Sequence, residues 1–172
     1  MAMSIILAWD GSVVGTLSWF PLYLVLIAPA FAFHELGHKF AAQKYGFHAE
    51  YRMWRQGLFF AAALALISNG NFTFIAPGAV YFGGRQGSDA QVGKIGFAGP
   101  LVNLILAAGF GMAGVLTGNG LLMLGAYINS FIALFNLIPF PPFDGQKIMA
   151  WNKLYWAMAL GLGIVLFVMS SG

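Results

Sequence analysis

This sequence predicts an all-α polytopic membrane protein with about four transmembrane helices plus a re-entrant helix/β-strand hairpin. Three observations predict it. Of 172 residues, 60% are hydrophobic and 8% charged, where a soluble domain carries about 25% charge. Charge-free apolar stretches approach the roughly 20 residues that a membrane-spanning helix needs. The Lys and Arg residues fall between those stretches in a pattern that one topology explains. A mean hydropathy of +0.80 also excludes a disordered chain, because so apolar a polymer collapses.

The elements follow in order. Val13 to Phe33 is the first span and runs into charge at Lys39. Ile95 to Thr117 follows Lys94, and Leu121 to Pro139 comes after the polar turn Thr117-Gly118-Asn119-Gly120. Leu154 to Ser170 closes the set. Between the first two lies Gly57 to Gly84, uncharged but interrupted by Ser68-Asn69-Gly70-Asn71. Its first half reads helical and is too short to span. Its second half, rich in β-branched and aromatic residues around Pro77-Gly78, reads extended.

Charge sets the orientation. Lys39, Lys44, Arg52 and Arg55 follow the first span, Arg85 and Lys94 precede the second, and Lys147 and Lys153 precede the last. They share one side if Gly57 to Gly84 enters and leaves the membrane on the same face. Such backbone is tolerated at membrane depth where protein or a wet cavity satisfies its polar groups. Met1 to Asp10 carries no Lys or Arg, so no signal-peptide head is expected, and the N-terminus is placed outside. A net charge of +3 then reads as a topology signal facing an anionic inner leaflet, not as a nucleic-acid footprint. The absence of cysteine excludes disulfides, thiolate ligands and a cysteine nucleophile. A single domain over 1–172 is expected, with its catalytic core at about 13–145.

The sharpest chemical signal is His34-Glu35-Leu36-Gly37-His38. On a helix, positions i and i+4 share a face, so both imidazoles can bind one metal ion. Glu35 sits about 100° round the same turn, where it can take a proton from water at that metal. Ionisable residues at the end of a spanning helix are costly and mark function by default. A zinc-type site needs a third protein ligand and one open position. Position 44, where an elongated version of the motif has a third His, is Lys44, and His48 and Glu50 follow the helix too closely to fold back. Asp10 and Asp89 lie in polar segments, with Asp10 on the far side. Asp144 remains, on the near side, in Pro139-Phe140-Pro141-Pro142-Phe143-Asp144-Gly145. The prolines stop the helix there, and Gly145 permits a tight turn. Zinc is inferred from the ligand types, which suit other divalent ions too.

Asn103 and Asn136 sit in apolar surroundings at the expected depth of the site. Either amide could orient a substrate or donate to an oxyanion, or simply hydrogen-bond between helices. Gly109, Gly111 and Gly114 are expected to allow close helix packing. Pro29 could kink the first span.

Three motifs together resemble the site-2 protease family of intramembrane zinc metalloproteases. They are His34 to His38, Gly99-Pro100-Leu101-Val102-Asn103, and Asn136-Leu137-Ile138-Pro139-Phe140-Pro141-Pro142-Phe143-Asp144-Gly145, and they cover about two thirds of the chain. The resemblance implies one Zn2+ per chain on His34, His38 and Asp144, with Glu35 as the base. It also implies an edge strand near Phe72 to Phe82, where Ala76, Gly78 and Val80 would pair with an unwound substrate. Asn136 would contribute to substrate binding and Asn103 to catalysis. A minimal member is expected, without a PDZ-like insertion or a nucleotide-binding tail, and Gly57 to Ile67 is more hydrophobic than the family's short β-region.

Residues and resemblance converge on a cell-membrane, multi-pass metalloendopeptidase with its site near the cytoplasmic side. Its partners would be a transmembrane-helix protein substrate and the lipid bilayer, with no nucleic acid. The rival reading is a metal-binding transporter or scaffold without proteolysis. A transporter, however, needs polar groups through its full depth, and the outer halves of these spans offer few besides Asn129 and Ser130.

Overall fold

The computed structural model describes residues 13–53, 78–83 and 87–172. Within them lie five helices and two strands: α1 (Val13–Lys44), β1 (His48–Met53), β2 (Gly78–Gly83), α2 (Asp89–Thr117), α3 (Gly120–Asn136), α4 (Asp144–Trp151) and α5 (Lys153–Ser170). The strands pair in one small sheet. The chain divides into two compact units, one of Met1–Pro29 with Glu50–Tyr81, the other of Ala30–Ala49 with Phe82–Gly172. The second unit holds α2 to α5 and α1 from Ala30 onward.

The helices keep their expected order but differ in their ends. α1 continues through Pro21 and Pro29 to Lys44, so His34 to His38 lies within a continuous helix. The membrane boundary read from Phe33 is no helix boundary, because Glu35, Lys39 and Lys44 are good helix formers. Gly46 ends it at φ 75°. The Gly46 N–H donates to Gln43 O (2.9 Å) and the Phe47 N–H to Ala42 O (3.1 Å), a Schellman pair that a left-handed glycine makes possible. Phe47 then packs with Ala42 and Ile95 in a small buried cluster, which ties the end of α1 to the start of α2.

α2 begins at Asp89, six residues before the expected Ile95, because Ser88 and Gln91 form a reciprocal capping box. The expected turn is present. Gly118 closes α2 at φ 64°, and the Asn119 side chain accepts from the Leu121 and Leu122 N–H groups to open α3. α3 stops at Asn136, ahead of the prolines. Trp156 Nε1–H donates to Leu137 O (2.7 Å) and pins that break against α5. Leu104, Ala133, Leu137, Ile148 and Ala159 form the core where α2 to α5 meet.

Among the described residues, α2 and α5 are long and apolar enough to cross a membrane, and α3 is a shorter apolar helix. Their outward side chains are apolar too, with Met112, Val115, Leu116, Leu154, Val168 and Met169 all exposed. Patches of that kind are foreign to a soluble monomer. The expected hairpin lies mostly outside the described residues, Ala76 included. Its described part, Gly78 to Gly83, is a strand paired with His48–Met53, which the sequence reading did not anticipate as a strand.

Close packing relies on different glycines from those expected. Nothing lies within 4 Å of a Cβ placed on Gly109, and at Gly111 the nearest atom is Ala126 Cβ at 3.6 Å; only Gly114, pressed on Met123, is tight. The tight contacts run instead along Gly93, Gly96 and Gly99, three residues apart on α2. They face Trp151, Lys147 and the histidines His34 and His38 respectively. Gly145 does not work as a positive-φ turn residue; its Cα lies against the Leu137 carbonyl, where a Cβ would collide. Gly145→Ala should therefore lower stability by about 1–3 kcal/mol through overpacking. Gly109→Ala should be neutral or stabilising by up to about 1 kcal/mol. Thermal unfolding of both variants in detergent checks the contrast.

Candidate metal centre

Helical geometry puts His34 and His38 one turn apart with their rings edge to face, centroids 4.7 Å apart. Each ring is held from behind. His34 Nδ1–H donates to Asn103 Oδ1 at 2.6 Å, and His38 Nδ1–H donates to Ile95 O at 2.8 Å. A carbonyl oxygen can only accept, so both protons sit on Nδ1 and each Nε2 keeps a bare lone pair in the neutral ring. The two Nε2 atoms stand 3.0 Å apart.

Asp144, the first residue of α4, supplies the third atom. Its Oδ2 lies 2.9 Å from His38 Nε2 and 3.5 Å from His34 Nε2. Its Oδ1 accepts from Lys147 Nζ at 2.9 Å, one turn further along α4. Burial by itself pushes the Asp144 carboxyl up. The ammonium of Lys147 opposes that and favours the charged form. Asp144 therefore stands as a carboxylate, suited to ligation.

The donor set fits a metal ion on two grounds. His34, His38 and Asp144 are all buried, and one ligand atom from each lies within 4.8 Å of the others. Three electron-pair donors brought this close repel one another unless a cation lies among them. Tetrahedral zinc bonds of about 2.0–2.2 Å set ligand atoms roughly 3.3 Å apart, a value that the observed 2.9, 3.0 and 3.5 Å straddle. Secondly, a Cβ on Gly99 would collide with His38 Nε2 and lie 2.7 Å from His34 Nε2. The absence of a side chain there leaves space between the rings. Glu35 stands beside this cluster, half-buried, and its Oε2 is the buried side-chain oxygen without a hydrogen-bond partner among the described residues.

Of the residues singled out in the sequence, His34, Glu35, His38, Asn103 and Asp144 come together. Asn103 is fully engaged. Besides accepting from His34, its Nδ2 donates to Ala30 O (3.1 Å) and to Asn129 Oδ1 (2.9 Å). An oxyanion would have to displace one of those bonds. Asn136 turns its amide back onto Ile132 O of its own helix (2.9 Å). Gly78 and Val80 fall in β2. Sequence reasoning gave no site role to Lys147, Gly99 or Asn129. The signals were present: a cation at i+3 from the acid, a glycine at the head of the second motif, and an amide in an apolar helix.

Comparison with known proteins agrees with this geometry. A protein of Methanocaldococcus jannaschii is 40% identical over 151 residues, covering 85% of this chain and 78% of the relative. The chain belongs to the site-2 protease family. A Bacillus subtilis relative is 28% identical, over 77% of this chain and 69% of its own. One from Mycobacterium tuberculosis is 26% identical over 81% of this chain, which spans 33% of that longer protein. All three carry the name "Putative zinc metalloprotease", which supports a zinc-dependent protease. No family model and no solved structure matches the chain. The family membership and the two long apolar helices together support a membrane association.

The centre makes a direct prediction. Purified wild type should carry one zinc per chain, and Gly99→Ala, with a methyl group among the donors, should carry none. Metal analysis after gel filtration checks this, with Gly109→Ala as the control that keeps its zinc.

Proposed function

We propose that this chain is an intramembrane zinc metalloprotease that hydrolyses peptide bonds within transmembrane segments of other membrane proteins. The observation that carries the reading is the buried convergence of His34, His38 and Asp144, with one Glu35 oxygen, Oε2, free of hydrogen bonds beside it. Zinc in that position would polarise the scissile carbonyl and acidify a water molecule.

The residues divide the remaining work. Glu35, with a free carboxylate oxygen, takes a proton from the attacking water and delivers it to the leaving amine. Asn103 holds the His34 ring and its tautomer. Lys147 occupies Asp144 Oδ1, which leaves Oδ2 as the ligand atom. A transmembrane substrate hides its carbonyls in helical hydrogen bonds, so it must unwind locally. We assign its capture to strand addition along β2, through Gly78, Val80 and the preceding Ala76, with Asn136 as a further contact. Lys147 touches a metal ligand, and Lys94 and Lys153 belong to the same group of basic residues. The positive-inside rule therefore supports a multi-pass protein whose site opens near the cytoplasmic side.

The test is cleavage in reconstituted vesicles of single-span substrates, some carrying helix-breaking residues. Wild type should cut within the span, and a chelator should abolish cutting. Glu35→Gln should keep its zinc and lose turnover by about 10²–10⁴-fold. Equal turnover in Glu35→Gln would remove Glu35 from the chemistry. Zinc flux in sealed vesicles, independent of Glu35 and without cleavage, would favour a transporter instead.

A further inference from the structure

Asn129 has no part in the chemistry above, yet its amide, 2% exposed in the middle of α3, is joined to the centre. Asn129 Nδ2 donates to Gly125 O at 2.9 Å. Its Oδ1 accepts from Asn103 Nδ2 at 2.9 Å, and Asn103 Oδ1 accepts from His34 Nδ1–H at 2.6 Å. A single hydrogen-bonded chain thus runs from a backbone carbonyl of α3, through α2, to a ligand on α1.

The direction of each bond matters. A side-chain amide has two orientations related by a 180° flip, and Asn103 must present oxygen to His34. If it presented nitrogen, His34 would have to carry its proton on Nε2, and the lone pair that faces His38 and Asp144 would be gone. Two contacts oppose that flip. Ala30 O and Asn129 Oδ1 both accept from Asn103 Nδ2, and each would face an oxygen if the amide turned. Asn129 cannot turn in compensation, because Gly125 O can only accept. Buried in low dielectric, each mismatched pair is costly.

We infer that Asn129 is a positioning residue for the metal ligand His34, acting through the amide of Asn103. The inference rests on the reading of His34, His38 and Asp144 as a metal centre. A merely interhelical role for Asn129 would move stability and leave the metal untouched, and the two can be separated.

The experiment uses the full chain in detergent, loaded with zinc. It measures zinc affinity by competition with a chromophoric chelator, the number of imidazole ligands by zinc X-ray absorption, and thermal unfolding of the metal-free protein. Asn129→Leu should weaken zinc binding about 10–100-fold, as loss of an outer partner does, and lower the imidazole count. In an Asn103→Leu background the same change should add less than about two-fold, because the relay is already cut. Ser130→Ala, which removes a neighbouring buried hydroxyl bonded within its own helix, should leave affinity unchanged. If Asn129→Leu does not fold, Asn129→Thr replaces it, since its hydroxyl can reach Gly125 O but stops short of Asn103; the same loss is expected. Wild-type affinity and imidazole count in the folded variant would overturn the inference and leave the metal centre standing. A loss fully additive with Asn103→Leu would overturn the route through Asn103. Failure of the wild type itself to bind zinc would instead bring down the metal-centre reading.

Discussion

Three electron-pair donors held within hydrogen-bonding distance of one another inside an apolar body form the constraint on which the rest of this structure depends. Left to themselves, His34 Nε2, His38 Nε2 and Asp144 Oδ2 repel, and burial removes the water that would screen them. The fold keeps them together by occupying every other polar atom they own. Nδ1 of each ring is tied to a carbonyl oxygen, and the second oxygen of Asp144 is tied to Lys147. What is left over points inward, as a cation site requires. Glu35 is the exception, with one oxygen free beside the cluster. The proton transfer proposed for it needs such freedom.

Bringing donors from α1 and α4 to one point beside α2 requires one face of α2 to be thin. Glycine at 93, 96 and 99 makes it so: the three share a face at helical spacing and let Trp151, Lys147 and the two imidazoles approach the backbone. Gly37 does the same from the other side, with its Cα against the Ala98 carbonyl. Lipid offers little hydrophobic drive for helices to associate, so close backbone contact and interhelical hydrogen bonds carry more of the load. The amides of Asn103 and Asn129 supply the second of these where the helices meet.

The outward faces follow a different rule. Leu116, Met112, Val168 and Met169 are exposed, as side chains that meet hydrocarbon are. Buried polar residues and exposed apolar ones thus invert the arrangement of a soluble enzyme. The inversion supports a membrane association.

Much of this was legible in the sequence for local reasons. The i, i+4 spacing of His34 and His38 is a property of one helix, and the proline-rich break that delivers Asp144 is a property of one loop. Charge and hydropathy ordered the helices, and the turn at Gly118 announced itself by composition. Helix ends were less legible: the capping box at Ser88 and the end of α1 at Lys44 depend on backbone hydrogen bonding, which hydropathy does not report. Apart from Lys147, three residues from Asp144 on its own helix, the layer around the candidate metal site was decided by tertiary structure. Which glycines are tight, which atom of Asn103 faces His34, and why Asn129 matters are questions about pairs 26 to 69 residues apart or about neighbouring helix faces. Sequence spacing carries no information on such pairs, because the rotation of one helix against another is settled by packing.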